Sequence, residues 1–511
     1  MSAPGLTAAR LIAETHQGFA ARPGLACRTR SGDLSFAALH AASAALAGQL
    51  ASLPGATARR PVLIWGHKDL RYPIAWWACL LAGMALVPVE RDTPEARIRQ
   101  IARTCGAGAC LVADAAPGAA ARLRALLDLP VLEVDPAATP ATALPPCPAR
   151  PEDVAYIMFS SGTLGQPKGI RINHANLADF VLWLDDLLPE PVAGVSGTIR
   201  HCFDVSLFEL WTGWRRGVPL SALDHGDFAD STGYIARLAT DRTGLWVSTP
   251  SIIRLMLKNR RFTAATLPAL RTFLFCGEPL TRQIVATLFE RFPGARVINT
   301  YGPTECTVAV TSVDITPAHL ADGQALPIGR ARPGTTLTTP DGAAQGEIMI
   351  AGRSVGPGYL GQPDRQARAF PAPGHYRSGD QGRCDADGTW HFLGRQDREV
   401  KIQGMRIDLN EVEAHIRAQP GVEDVIVEPH MLRGEARALN AYVLGAGRPD
   451  LPALAATLAR DLPPWLVPRF WYAGFDAGLN ANSKLDRRQL ARAADDATWK
   501  HVHVAAPQPL S

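Results

Sequence analysis

The sequence predicts an α/β protein of at least two domains, with parallel sheets in a large N-terminal part and a small α+β domain at its C-terminal end. Three observations carry this expectation. Residues 1 to about 135 alternate helical hydrophobic patterns with short apolar strands, as βαβ units around a parallel sheet do. The apolar run VAYIM (154–158), followed by FSSGTLGQPKG (159–169), opens a second α/β region. From about Gly346 the texture turns to short strands and turns, and from about Asp397 a separate pattern of about 115 residues begins, enough for a domain of its own.

The elements follow in chain order. Helical periodicity at 34–53 and 94–105 alternates with the strands PVLIWG, ALVPV, ACLVA and VLEV. The longest apolar stretch, 74–89, is too short for a membrane span of roughly 20 residues and contains Gly83 and Pro88, so it reads as a buried helix, a glycine stop and a strand. The Pro/Ala-rich segment 135–151 reads as a surface connection. Beyond it come helices at 176–188 and 281–292 and the strands LWVST and RTFLFCG, then the β-rich stretch with GEIMIAG and GRCDADGTWHFLG. The C-terminal pattern is EVKIQG, a helix at 409–419, the strands VEDVIVEP and ALNAYVLG, a helix at 452–461, and WYAGF.

Composition bounds the function. With 47% hydrophobic and 20% charged residues over 511 positions, the chain can bury large cores in the manner of a soluble globular protein. A formal net charge of +4 without a dominant Lys/Arg cluster argues against nucleic-acid binding. Nine scattered cysteines with no CxxC pair fit reduced thiols in the cytoplasm. The N-terminal stretch lacks a basic segment leading into a long apolar one, so export and membrane insertion are not expected.

The first chemical signal is the loop FSSGTLGQPKG. Consecutive small residues let backbone N–H groups converge on phosphate oxygens, and Lys168 adds a point charge. It does not match the Walker A pattern. GPGYLG (356–361) formally fits GxGxxG, but Pro357 within it, no strand before it and no helix after it weigh against dinucleotide binding.

Four further stretches, NTYGPTECTVAVT (299–311), YRSGDQGR (376–383), FLGRQDREVKIQGMRIDLNEVE (392–413) and NANSKLDRRQL (480–490), join the loop. In order and spacing these five resemble the core motifs of the acyl-adenylate-forming (AMP-binding) enzymes. CFDVSLFEL (202–210), the stretch 246–251 and FLFCGEPL (273–280) extend the likeness to the amino acid adenylation branch, and within it to the D-alanine:D-alanyl carrier protein ligases. The resemblance implies an N-terminal adenylate-forming domain at 1–396 with doubly wound sheets and a β-rich subdomain, and a mobile C-terminal domain at 397–511.

It also implies residue roles. A carboxylate attacks the α-phosphorus of ATP and expels pyrophosphate, so positive charge and fixed dipoles must gather where two anions meet. Thr163, with Ser160, Ser161, Gly162, Gly165 and Lys168, would hold the ATP phosphates. Thr304 would contact the α-phosphate, and Glu305 would hold Mg²⁺. Asn299, Thr300 and Tyr301 fall to the adenine end, Asp380 to the ribose hydroxyls with Arg395 beside it, and Lys484 to the bridge between substrate carboxylate and α-phosphate. Two positions depart from the family pattern: Leu164 replaces a Ser/Thr, and Ser483 replaces the glycine before the lysine. Neither removes a charged group, so activity is expected with weakened ATP affinity or slower turnover.

For the substrate, Asp204 stands where amino-acid-activating relatives pair a carboxylate with the α-ammonium, although a helix N-cap would equally explain an aspartate before SLFEL. Val205, Phe208, Val247, Leu274, Cys276, Thr300 and Val308 map around the substrate side chain. None is charged, and Cys276 stands where many relatives carry glycine or alanine, so a small apolar side chain is implied and alanine fits. The D configuration rests only on the likeness around FLFCGE and STPS.

Transfer to a thiol follows, with Asp397 as the hinge and Gly404 facing a pantetheine arm. No carrier serine motif precedes Ser511, so the phosphopantetheinylated carrier is expected to be a separate protein. Two alternatives remain: a stand-alone adenylation enzyme of a nonribosomal-peptide-type pathway that activates L-Ala, Ser, Pro or another small amino acid, and a non-catalytic protein that kept the fold.

Overall fold

The computed structural model describes residues 8–54, 60–140, 147–160, 167–224, 227, 230–321, 324–395, 398–422, 424–432, 435–444, 449–474, 494–495 and 497–503. The chain divides into two compact units. One comprises Met1–Arg91, Ala102–Phe159 and Gly169–Gln396, the other Asp92–Ile101, Ser160–Lys168 and Asp397–Ser511.

A seven-stranded sheet runs in the order Gly358–Tyr359, Lys168–Asn173, Val154–Ser160, Leu86–Glu90, Val62–Gly66, Ala109–Val112, Val131–Glu133. Val62–Gly66 pairs in parallel with both Leu86–Glu90 and Ala109–Val112, as the alternating pattern predicts. The apolar stretch resolves into the helix Arg71–Leu81 and the strand Leu86–Glu90, with Gly83 at φ +65° between them. Pro88, which has no N–H to give, is tolerated in this strand because its ladder with Val154–Ser160 is confined to the pair Leu86 and Tyr156.

The second large sheet has nine strands, in the order Arg330–Ala331, Thr311–Ile315, Arg296–Tyr301, Thr272–Phe275, Leu245–Ser248, Val195–Gly197, Leu220–Ala222, Leu25–Thr29, Gly32–Ser35. Its middle is parallel, and antiparallel strands close both edges. A cluster of tryptophans packs near the helices of this unit, with Trp77 5.5 Å from Trp211 and Trp211 5.6 Å from Trp214, all edge to face. The β-rich subdomain is a four-stranded antiparallel sheet of Thr335–Thr338, Gln345–Gly352, His375–Cys384 and Trp390–Arg395.

Boundaries shift for local reasons. The helix expected from residue 34 starts at Phe36, because Gly32–Ser35 pairs as an edge strand and the Ser35 hydroxyl caps the helix at Ala38 N–H. The helix His174–Leu187 begins two residues earlier than its hydrophobic pattern, held by a reciprocal capping box between Asn173 and Asn176. None of the nine cysteines is in a disulfide. Among the described residues no helix is long and apolar enough to cross a membrane.

The second unit carries the hairpin Glu399–Ile402 and Met405–Asp408, the helix Leu409–Arg417, and a sheet in the order Asp424–Leu432, Glu435–Leu444, Phe470–Ala473, Trp499–Val502. The helix Leu451–Asp461 completes a core that includes Val412, Ile416, Leu439 and Trp471. Gln403 and Gly404 form the hairpin turn at φ +52° and φ +81°, the left-handed pair that a tight two-residue turn requires. Backbone conformation is therefore a sufficient local reason for glycine at 404.

Candidate active site

The strand Arg296–Tyr301 delivers three of the expected nucleotide residues, and each is already oriented by a hydrogen bond. Asn299 Nδ2 donates to the Pro327 carbonyl at 2.7 Å, which fixes its Oδ1 as the remaining acceptor. Thr300 Oγ1 donates to the Phe275 carbonyl at 2.8 Å. The Tyr301 hydroxyl donates to Asp380 Oδ2 at 2.5 Å. Burial and the Asp380 carboxylate hold the Tyr301 phenol well above its ordinary pKa, so it stays a donor.

Asp380 and Arg395 face each other as cross-strand partners in the β-rich subdomain. Arg395 NH1 donates to Asp380 Oδ1, and NH2 reaches the Ser378 carbonyl at 3.3 Å. Each carboxylate oxygen accepts one protein hydrogen bond and keeps a second lone pair, so Asp380 is pinned without being exhausted as an acceptor. The Tyr301 hydroxyl contact was not legible from the sequence, which put the residue at the adenine end only.

The turn after this strand is tight. Thr304–Cys306 forms a short 3₁₀ turn, and Thr307 and Val308 follow at φ +58° and φ +69°. A positive φ at β-branched residues is costly and persists only where the surroundings impose it. One clamp is the Thr307 hydroxyl, which donates to the Ser354 carbonyl at 2.8 Å. Another is the close return of the chain: a Cβ on Gly302 would lie 2.4 Å from Ala309 Cα, 2.8 Å from the Val308 oxygen and 2.9 Å from Val310 N. All three are backbone atoms, so Gly302→Ala should cost about 1–3 kcal/mol of stability and depress kcat/KM for ATP by at least about tenfold, as read by urea unfolding and initial rates. Gly48→Ala, on a helix with open space around the added Cβ, should be neutral or slightly stabilising in the same assays.

Glu305 is fully buried in this turn, and its Oε1 accepts from the Tyr359 hydroxyl at 2.9 Å. The Gly356 N–H binds the Glu305 backbone carbonyl at 2.9 Å, and Tyr359 N–H is fixed by Gln366 Oε1 at 2.7 Å. The GPGYLG segment is thus an edge strand beside Lys168–Asn173 that carries Tyr359 to Glu305; its chance match to GxGxxG hid that role. One carboxylate with hard oxygens suits Mg²⁺, which takes one or two protein carboxylates, retains waters and binds substrate phosphates for the rest.

All seven residues mapped around the substrate side chain are buried. Val247 and Leu274 are register partners in adjacent parallel strands and so share a face. Val205, Phe208, Val247, Leu274, Cys276 and Val308 all lie in the large hydrophobic core of this unit, which also holds Ile298 and Ala309. Ile298 is the cross-strand neighbour of Leu274 on the side away from Val247. Cys276 Sγ sits 3.9 Å from the Val308 carbonyl, filling volume a glycine would leave. Asp204 is buried, and the helix Ser206–Arg216 takes Val205 as its N-cap. Val205 itself has helical φ and ψ, and the Leu207 N–H bonds the Asp204 carbonyl at 2.9 Å, so Asp204 stands at the first turn of this helix, where the capping alternative also puts it.

Other expected residues fall elsewhere. Ser161, Gly162, Thr163, Leu164, Gly165, Asp397, Ser483 and Lys484 lie outside the described residues. Ser160 ends the strand Val154–Ser160. Lys168 opens the next strand, buried, with Nζ 3.7 Å from Glu399 Oε1; its charge is matched by a carboxylate, where the sequence reading offered it only to phosphate. Thr304 is half-buried at the start of the 3₁₀ turn.

Comparison with known proteins places these features. The family model described as AMP-binding enzyme matches residues 13–360. A curated protein of Lactiplantibacillus plantarum named D-alanine--D-alanyl carrier protein ligase is 33% identical over 487 residues, covering 90% of this chain and 93% of that protein. A protein of the same name from Bacillus cereus is 31% identical over 451 residues, covering 84% and 89%. Among solved structures, PA1221, an NRPS protein containing adenylation and PCP domains bound to a vinylsulfonamide inhibitor, superimposes with a TM-score of 0.79 at 26% identity, covering 94% of this chain and 84% of that one.

Proposed function

The chain belongs to the AMP-binding enzyme family and is an adenylate-forming ligase, and we propose that it activates D-alanine with ATP and passes it to the phosphopantetheine thiol of a separate carrier protein. The observation that carries the substrate class is the buried carboxylate of Asp204, next in sequence to Val205, which lies in the same apolar core as Phe208, Val247, Leu274, Cys276 and Val308. A carboxylate among apolar walls suits a zwitterion with a small apolar side chain, because the ammonium gains a charge-assisted hydrogen bond that fatty or aryl acids cannot supply.

In this reading Tyr301, Asn299 and Thr300 receive the adenine end, while Asp380, pinned by Tyr301 and Arg395, accepts from the ribose hydroxyls. Ser160, Ser161, Gly162, Thr163, Gly165 and Lys168 hold phosphates. Thr304 meets the α-phosphate, and Glu305, set by Tyr359, would hold Mg²⁺, which offsets phosphate charge when bound. Lys484 supplies the charge where the acyl carboxylate attacks phosphorus. Asp397 serves as the hinge before thiol transfer, with Gly404 beside the pantetheine arm. The relatives named as D-alanine carrier protein ligases, and the solved protein that joins adenylation and PCP domains, support a carrier as acceptor.

The test is amino-acid-dependent ATP–pyrophosphate exchange with D-Ala, L-Ala, Gly, D-Ser, L-Ser and L-Pro. D-Ala should rank first; glycine should follow by about 10- to 200-fold, since one methyl is worth about 1–3 kcal/mol. If L-Ala or L-Pro leads by about tenfold, roughly 1.4 kcal/mol, the D-alanine assignment gives way to a nonribosomal-peptide-type adenylation enzyme.

A further inference from the structure

We propose that Glu209 and Glu90 are positioning residues that clamp the segment 198–204 from two sides and so hold Asp204 where the substrate ammonium docks. The inference deepens the function proposed above and rests on its reading of Asp204.

Segment 198–204 leaves the end of the strand Val195–Gly197 and has no strand to pair with, so its backbone donors need other partners. Glu209, one turn inside the following helix, supplies them. Its Oε1 accepts from Thr198 N–H at 2.5 Å, and both its oxygens accept from Ile199 N–H at 3.2 Å. The carboxylate therefore ties the beginning of the loop to the helix that follows Asp204, closing the loop at its base.

The second clamp comes from the other large sheet. Glu90 ends the strand Leu86–Glu90, and its Oε1 accepts from His201 N–H at 3.0 Å. Glu90 is itself oriented by His67 Nδ1 at 2.6 Å. Lys68, the next residue, donates Nζ to the Ile199 carbonyl and lies 3.7 Å from Glu209 Oε2, so one ammonium joins both the loop backbone and the first clamp. Lys68 and Glu209 are fully buried. Burial pushes the Glu209 carboxyl up to about 7, with Lys68 and the two N–H groups pulling it back.

A buried ion pair is weak evidence of stabilisation, since apolar residues of similar volume often do as well. What apolar residues cannot do is accept the backbone N–H groups of Thr198 and Ile199, which no strand pairs. Fixing that loop to within a fraction of an ångström is what a substrate-binding carboxylate needs from its support.

The experiment uses the full-length protein and the variants Glu209→Ala, Glu209→Gln, Glu90→Gln and Asp204→Ala. Each is checked by thermal unfolding, then read by KM for D-alanine and for ATP in pyrophosphate exchange, and by hydrogen–deuterium exchange of the segment. Glu209→Ala should raise the D-alanine KM at least tenfold with the ATP KM within twofold, and should speed amide exchange in 198–204 at least tenfold while distant strands are unchanged. Glu209→Gln, whose amide oxygen can still accept, should recover most of both; Glu90→Gln should raise the D-alanine KM about threefold or more. If Glu209→Ala does not fold, Glu90→Gln decides, and a D-alanine KM within a factor of 1.5 of the parent with unchanged amide exchange in 198–204 overturns the clamp. Equal rises in both KM values, or a loss confined to melting temperature, also overturn it. If amide exchange responds as stated but Asp204→Ala leaves the D-alanine KM unchanged, the reading of Asp204 fails and the positioning role falls with it, whereas the reverse pattern sinks the clamp alone.

Discussion

Lys484→Ala is expected to lower amino-acid-dependent pyrophosphate exchange by about 10²–10³-fold, the cost of removing one fixed donor aimed at developing charge. The magnitude follows from the step itself. Two anions, the substrate carboxylate and the α-phosphate, must approach while charge moves onto the leaving pyrophosphate. A cation at about 4 Å contributes on the order of 4 kcal/mol at an effective dielectric near 20, and that is the scale lost with the ammonium. The loss should fall on kcat with KM for both substrates little changed, because the interaction strengthens in the transition state. Transfer from synthetic D-alanyl-AMP to the carrier thiol should suffer much less, since the acyl group is already joined to the phosphate, no two anions have to be brought together, and AMP leaves with the electron pair of the broken acyl–oxygen bond as the thiol sulfur adds. Exchange within tenfold of the parent protein would remove Lys484 from the reaction and leave the positive charge to be found elsewhere.

The same chemistry sets what Ser483 and Leu164 should do. A serine before the lysine narrows the backbone freedom a glycine would give, and leucine in the phosphate loop withholds one hydroxyl donor. Both act on rate or ATP affinity and neither subtracts charge.

The elements that set fold class were legible because they follow period and length. Val62–Gly66, Leu86–Glu90 and Ala109–Val112 are short, wholly buried apolar runs, which is how parallel strands covered on both faces read. Harder to read were pieces whose pairing is tertiary. Gly32–Ser35 has no hydrophobic pattern and exists because it pairs with Leu25–Thr29, and Trp499–Val502 exists because it pairs with Phe470–Ala473. The helix Ala8–Ala21 is alanine-rich and glycine-bearing, so its buried face, Leu11, Ile12 and Phe19, stands out only once it is packed.

Within the site, motif spacing reached the charged and aromatic residues but not their supports. Tyr359 and Glu209 sit in stretches read for other purposes, and their partners are 54 and 10 or 11 residues away in sequence. Hydrogen bonds across such separations are fixed by topology alone. Gly404 shows the reverse case: a glycine read for ligand approach has a turn geometry that already demands it.

Asp204→Ala should raise the KM for D-alanine by about 10²-fold or more, the consequence of losing about 3 kcal/mol when one partner of a buried charge pair is removed. Asp204 lies buried just before Val205, Leu207 and Phe208, whose apolar side chains belong to the hydrophobic core. An ammonium entering that surrounding without its carboxylate is desolvated and unpaired, so binding suffers more than at an exposed site. ATP should be unaffected, because the adenine and ribose contacts proposed for Tyr301 and Asp380 form a separate hydrogen-bonded group. The sharper measurement is relative: D-lactate has the same carboxylate and methyl with a hydroxyl for the ammonium. The parent protein should prefer D-alanine over D-lactate by about 10²-fold or more, whereas Asp204→Ala should prefer it by less than about tenfold. Asp204→Asn, which keeps an acceptor oxygen without charge, should fall between them. If all three proteins discriminate equally, the ammonium is recognised by another group, and the assignment of an amino acid as substrate would have to rest on that group instead.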